Sequence, residues 1–261
     1  MVNVKTNGKK KGGSPAPAPA PEVATLEVAR VGTLGNCFLA VTLAPGQSVL
    51  ADGGTMIYMD GDIEMQTAAT TQGGVGAMFG RWFAGESLFL NQYTNKSDEP
   101  KRIALGDAYL HDVVQLDVPP GEAGSWKASV GSFLAGTPNL RVSGKLNWRG
   151  FFVIGQQEGP VLTKIETLDS SRPGRAYLVS YGHCEKHELK PGQKLVVDNE
   201  HFLACKTDAN YEIVKVGSVK SVFFSGEGFA MQFTGPGVVY TQSKGLSRFA
   251  NILARYLPSS K

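Results

Sequence analysis

His183-Cys184-Glu185-Lys186-His187 is the segment of this chain whose residue types best suit metal or acid–base chemistry. On an extended strand, positions 183 and 187 share a side but stand about 13 Å apart, too far for one ion. They converge on a metal only across a turn, with His201 or Cys205 as further ligands. The segment runs into Leu189-Lys190-Pro191-Gly192, so polar residues on a strand end at a hairpin rim are the expected reading. A cupin-type centre needs several His and a carboxylate converging inside a barrel. The chain has only His111, His183, His187 and His201, with no His-x-His motif. His111 falls on the polar side of its alternation and is expected to be exposed. Neither a nucleophile-elbow signature nor a phosphate loop ending in Gly-Lys-Ser/Thr occurs. No catalytic residue, metal ligand or cofactor-binding residue is therefore expected.

A second chemistry is apolar contact. Gly73-Gly74-Val75-Gly76-Ala77-Met78-Phe79-Gly80-Arg81-Trp82-Phe83 combines four glycines with side chains that are costly to leave in water. Met78, Phe79, Trp82 and Phe83 either meet a partner, a lipid or another subunit, or tuck onto their own sheet. At the C-terminus, Leu246, Phe249, Ile252, Leu253 and Tyr256 recur at helical spacing, opposite Arg248, Asn251 and Arg255, until Pro258 stops the run. This amphipathic helix is expected to dock on the sheet or on a neighbouring subunit rather than on a membrane. Phe249, Ile252 and Tyr256 join the four loop residues as the candidate contact set.

The elements that position these residues repeat. Pro45-Gly46-Gln47-Ser48-Val49-Leu50-Ala51-Asp52 returns as Pro191-Gly192-Gln193-Lys194-Leu195-Val196-Val197-Asp198, and a weaker copy begins at Pro120-Gly121-Glu122. Each copy precedes a glycine-led apolar element at Gly85–Leu90, Gly150–Ile154 or Gly226–Met231. Ordered self-similarity means one supersecondary unit duplicated and stacked. Asp52 and Asp198 hold equivalent places, as do Glu86 and Glu227, so capping of backbone N–H groups at turns explains them without catalysis.

Between the turns the period is two. Leu39, Val41 and Leu43 alternate with Phe38, Ala40 and Thr42. Leu110, Val114, Leu116 and Val118 oppose His111, Gln115 and Asp117, and Val161 and Ile165 oppose Leu162, Lys164 and Glu166. With 32 glycines in 261 residues and 19% charged residues, this predicts an all-β chain of more than ten strands. It is built of duplicated or triplicated β-sandwich units, with helix confined to the region near 246–257. Residues 1–21, with Lys5, Lys9, Lys10, Lys11 and an Ala-Pro alternation, read as a disordered tail ahead of a β domain over 22–261.

The formal charge of +3 drops to about −1 without the four tail lysines (3 − 4), which argues against nucleic-acid binding. Three cysteines, Cys37, Cys184 and Cys205, make no disulfide framework and suit a reducing, cytoplasmic setting. There is no secretory h-region. The uncharged stretch Val31–Ala51 is broken by Pro45-Gly46 and is no membrane span.

The ordered set resembles the AIM24 family. It comprises Pro45-Gly46-Gln47 running into Asp52-Gly53-Gly54-Thr55-Met56, Met59-Asp60-Gly61-Asp62-Ile63-Glu64-Met65, Gly85–Leu90, Gly131-Ser132-Phe133-Leu134-Ala135, Leu189-Lys190-Pro191-Gly192, Ser225–Phe229 and Thr234-Gly235-Pro236-Gly237. The resemblance implies a β fold related to the tryptophan-RNA-binding attenuation protein and loosely to two-domain cupins. It also implies homo-oligomers, trimers preferred, and for the eukaryotic branch a link to mitochondrial inner-membrane organisation. It supplies no catalytic motif. The resulting expectation is a non-enzymatic binding or scaffold protein, a symmetric homo-oligomer with protein partners in a larger or membrane-associated assembly. An RNA-binding module and a cupin-like metalloenzyme are the alternatives.

Overall fold

The structure is a computed structural model and describes residues 26–33, 36–68, 90–145, 162–215 and 229–257. After β1 (Glu27–Thr33), eighteen strands follow in three sets of six. The first set is β2 (Asn36–Leu43), β3 (Ser48–Asp52), β4 (Met56–Met59), β5 (Ile63–Ala68), β6 (Leu90–Asn95) and β7 (Lys101–Leu105). The second is β8 (His111–Val118), β9 (Trp126–Ser129), β10 (Phe133–Gly136), β11 (Leu140–Lys145), β12 (Leu162–Thr167) and β13 (Gly174–Tyr181). The third is β14 (Cys184–Leu189), β15 (Lys194–Asp198), β16 (Phe202–Lys206), β17 (Asn210–Lys215), β18 (Phe229–Thr234) and β19 (Gly237–Gln242). A turn of 3-10 helix, Glu122–Gly124, and helix α1, Leu246–Ala254, complete the described elements.

Every set is paired the same way. The sixth strand lies between the first and third, and the fifth between the second and fourth, all antiparallel. The third strand of each set carries a register shift at the same place, at Met56/Tyr58, Phe133/Ala135 and Phe202/Ala204. Two further pairings join the sets: β3 with β10, and β9 with β16. Each joins the second strand of one set to the third strand of the next, which produces two six-stranded sheets.

The turn between the first two strands shows why the pattern recurs. Gly46, Gly121 and Gly192 all have positive φ, at 73°, 90° and 76°, a conformation that glycine adopts without a Cβ clash. The backbone N–H of Gly46 donates to Asn95 O and that of Gly192 to Gly235 O, each at 3.0 Å. The Gln47 and Gln193 side-chain oxygens accept from the N–H groups of Ala44 and Lys190, at 2.9 and 3.0 Å. At the far end of the second strand, Asp52 accepts from Gly53 N–H and Asp198 from Glu200 N–H.

Alternation buries one apolar cluster per set, and neighbouring sets contribute to each other's cores. The first holds Leu39, Val41, Leu43, Ile103 and Tyr93, together with Leu134 and Ala135 of the second set. The second holds Leu116, Trp126, Phe133, Ile165 and Leu178, with Leu50 and Leu90 from the first set and Leu203 and Ala204 from the third. The third holds Leu189, Val197, Phe202, Met231 and Phe233, with Leu162 from the second.

The structure corrects three readings of the pattern. His111 is buried, 4% exposed, while Leu110 is exposed. β8 begins at His111, whose ring turns inward beside Tyr109. Lys164 is also buried, because its ammonium sits between Glu122 and Glu166, 2.8 Å from an oxygen of each. The strand matching β6 and β18 in the second set is β12, since Leu90, Leu162 and Ala230 face Asp52, Ser129 and Asp198. Gly150–Ile154, Gly85–Phe89 and Gly226–Gly228 lie outside the described residues, and a shared Gly-apolar look does not set β register.

Candidate functional site

Helix α1 has the spacing the sequence predicts, but it starts weakly. Its N-cap is Gly245, without a side-chain bond, and its first turn has no acid to complement the dipole. A nine-residue helix is marginal alone, so packing must hold it. The entering segment is tied down by Ser243 N–H to His183 O and Lys244 N–H to Tyr181 O, at 2.9 and 3.2 Å. Phe249 then meets Tyr181 with ring centroids 5.9 Å apart. Beyond this contact Leu246, Phe249, Ile252, Leu253, Tyr256 and Leu257 remain exposed.

Phe249 and Tyr181 line a cleft of about 390 Å³ with Phe38, Ile57, Tyr109 and His111. Tyr109 packs edge-on against Tyr181, 5.4 Å between centroids. Burial, with the Asp107 charge, drives the Tyr109 phenol pKa upward. His111 Nδ1 lies 2.6 Å from Tyr109 O, and its Nε2 is buried with no hydrogen-bond partner. Behind the cleft Asp112 forms an ion pair with Arg30 and accepts from the Cys37 thiol at 3.3 Å. Burial opposes ionisation of Asp112, but the Arg30 and Cys37 bonds hold its pKa below the usual range. The Cys37 thiol is pushed up by burial and by Asp112. A thiol kept protonated is a poor nucleophile, and the cleft lining is mainly aromatic and apolar, from Phe38, Ile57, Tyr109, Tyr181 and Phe249.

A second cleft, of about 380 Å³, gathers His183, His187 and His201 beside Val196 and Asp198. The His183–His187 segment and His201 thus do come together, but Cys205 is buried in the third core. His187 Nε2 lies 2.9 Å from Thr241 Oγ1 and 3.9 Å from Glu185. Both partners approach one nitrogen, whereas a hydroxyl–imidazole–carboxylate relay uses both. His201 Nδ1 is 2.8 Å from Gln242 O. Among the described residues no group of three or more His, Cys, Asp or Glu is placed to hold a metal ion.

Of the sequence-predicted contact residues, Phe249 and Ile252 lie on α1 and Tyr256 in the turn just after it, and all three are exposed. Met78, Phe79, Trp82 and Phe83 lie outside the described residues. The cleft residues Tyr109, Tyr181 and Ile57 were not foreseen. No such contrast marked Ile57, which matches Leu134 and Leu203; its neighbours Tyr58 and Met59 stand out, being large where the matching third strands carry Ala135-Gly136 and Ala204-Cys205.

A family model described as mitochondrial biogenesis AIM24 matches residues 31–244. An uncharacterized protein of Streptococcus pyogenes serotype M6 is 29% identical over 225 residues, covering 84% of this chain and 86% of that protein. The crystal structure of another Streptococcus pyogenes protein superposes with a TM-score of 0.68 at 25% identity, covering 89% of this chain and 100% of that one.

Proposed function

Because the chain belongs to the AIM24 family, with its nearly all-β architecture, we propose that it is a non-enzymatic scaffold. In this reading copies associate into a closed homo-oligomer, trimer preferred, which presents surfaces to protein partners in a larger or membrane-associated assembly. The observation that carries it is the apolar stripe of α1. Six apolar residues are exposed, Leu246, Phe249, Ile252 and Leu253 on α1 and Tyr256 and Leu257 just past its end, on a segment anchored through Phe249. A continuous exposed apolar stripe rimmed by polar residues marks an interaction surface, and a second copy is the occupant that needs no further component. No described helix is long and apolar enough to cross a membrane.

Light scattering of wild type and of a Phe249→Ser, Tyr256→Ser variant tests this reading. The wild type should have a multi-chain mass and the variant a lower one, and an Ile252→Ser, Tyr256→Ser variant, which keeps the Phe249–Tyr181 contact, should lower the mass with unchanged far-UV circular dichroism. An unchanged mass in the folded variant removes the helix from the interface.

A further inference from the structure

The three sets of strands end on two open edges that match each other. In a complete sheet, the second strand of one set lies beside the third strand of the next, and both are interior. That arrangement occurs twice, at β3–β10 and β9–β16. Among the second and third strands of the described sets, β4, the third strand of the first set, and β15, the second strand of the third set, are the two that stand at sheet ends. First and fourth strands are different, because they are terminal in every described sheet except where β1 covers β2.

Burial follows the same logic. Leu134 with Ala135, and Leu203 with Ala204, are all 0% exposed and lie in the core of the preceding set. The common register shift makes Ile57 and Tyr58 their equivalents, yet these are 55% and 44% exposed. Conversely, Leu50 is buried in the core of the following set, whereas its equivalent Val196 is 52% exposed. β4 carries no charge and no proline to discourage pairing, and an unblunted apolar edge in a native protein calls for a partner strand.

We infer that β15 of one copy pairs with β4 of a second copy of this chain, in the register of the two internal seams, so that Ile57 and Tyr58 complete the third core of the neighbour. Ala51 opposes Ala135 and Ala128 opposes Ala204, so Val197 opposes Tyr58 and Val196 opposes Met59. Ile57 also lines the cleft beneath Phe249, so the incoming strand adds to the surface that α1 already offers. The contact is heterologous: it closes into a ring if the rotation per copy permits and otherwise continues as a filament.

This inference rests on the homo-oligomeric reading and specifies its interface. Two variants are made in a Cys184→Ser background, Met59→Cys and Val196→Cys. Directly opposed strand residues have Cα atoms about 4.5–5.5 Å apart, within disulfide reach. Mild oxidation of a mixture should give a linked dimer, while neither variant alone should. A chain carrying both substitutions should give a ladder of linked chains. A monomeric wild type overturns the homo-oligomeric reading and this inference with it. A multi-chain wild type without the mixed dimer, or a doubly substituted chain that links only to itself, overturns the inference alone.

Ile57→Lys and Val196→Lys, both at exposed positions, provide a second route. Each blocks one edge and should reduce the protein to monomers. Mixed, they retain one intact pair of edges and should form a dimer and nothing larger. A folded Ile57→Lys chain with the wild-type mass contradicts the seam.

Discussion

Lys206 Nζ stands 4.0 Å from the centroid of the Trp126 ring, across the β9–β16 seam that joins the second and third sets. The same ammonium donates to Gly124 O at 3.1 Å, and the indole N–H donates to Asp117 O at 2.9 Å. Trp126 also faces Tyr240 of the third set, with centroids 5.7 Å apart. The seam is thus a packed interface as well as a hydrogen-bonded ladder.

Truncating its centre should weaken the whole chain. Trp126→Ala is expected to lower unfolding stability by about 3–5 kcal/mol, measured by denaturant titration. Lys206→Met should cost about 1 kcal/mol or less, since it removes the cation–π contact and keeps the packing stem. Burial holds the Lys206 pKa below the usual lysine range, so the unfolded chain binds more protons at alkaline pH. Wild type should therefore gain stability relative to Lys206→Met as pH rises toward 10.5.

Asp52 gives a second pH signature. Burial pushes its carboxyl up from 3.8 to about 6, with Asp107 adding to the rise and the Gly53 N–H bond opposing it. A raised carboxylate pKa means the folded chain holds the proton more tightly. Its stabilising contribution is complete below about pH 3.8 and is lost as pH rises through about 6. Asp52→Asn keeps an acceptor for Gly53 and should be more stable than wild type at pH 7. The expected gain is roughly 1–2 kcal/mol, allowing for partial solvent screening, and thermal melts should show it vanish below pH 4.

Lys164 tests the buried charge cluster. Burial disfavours its charge, but bonds to Glu122 and Glu166 more than compensate and raise its pKa. Lys164→Ala strands two carboxylates and should cost roughly 1–2 kcal/mol, reduced from a fully buried pair because Glu122 is largely exposed. Lys164→Met, which fills the same space, should show the same loss, because the charge partner and not the stem is decisive. A neutral Lys164→Ala would dismiss the cluster as a stabilising feature.

The thiols should be quiet. Burial pushes Cys184 and Cys205 up to about 12, and Cys37 also lies above its usual value. Iodoacetamide at pH 7.5 should label the native chain slowly and the unfolded chain at all three positions, read by mass spectrometry. Fast native labelling of Cys37 would reopen the aromatic cleft as a reactive site.

What the sequence showed and hid follows from how local each signal is. The Pro-Gly turns were legible because Gly46 and Gly192 need positive φ whatever surrounds them. The inward face of β2 was legible because Leu39, Val41 and Leu43 keep strict alternation, and α1 because its apolar spacing survives without tertiary contacts. His111 and Lys164 were misplaced because their burial depends on Tyr109 and on Glu122, partners that alternation does not reveal. The seams were invisible for a related reason: strand edges pair through backbone groups, and Ala51 opposite Ala135 leaves no side-chain mark. For the candidate site, the apolar spacing of Phe249, Ile252 and Tyr256 was readable in the sequence, whereas Ile57 and Tyr58 needed the repeated register shift to show which buried positions they match.

The homo-oligomer is most directly tested by the mass of the native protein in solution. Multi-angle light scattering of the wild-type chain at micromolar concentration should give a whole multiple, two or greater, of the 27.8 kDa chain mass. A single-chain mass under those conditions would contradict the scaffold reading.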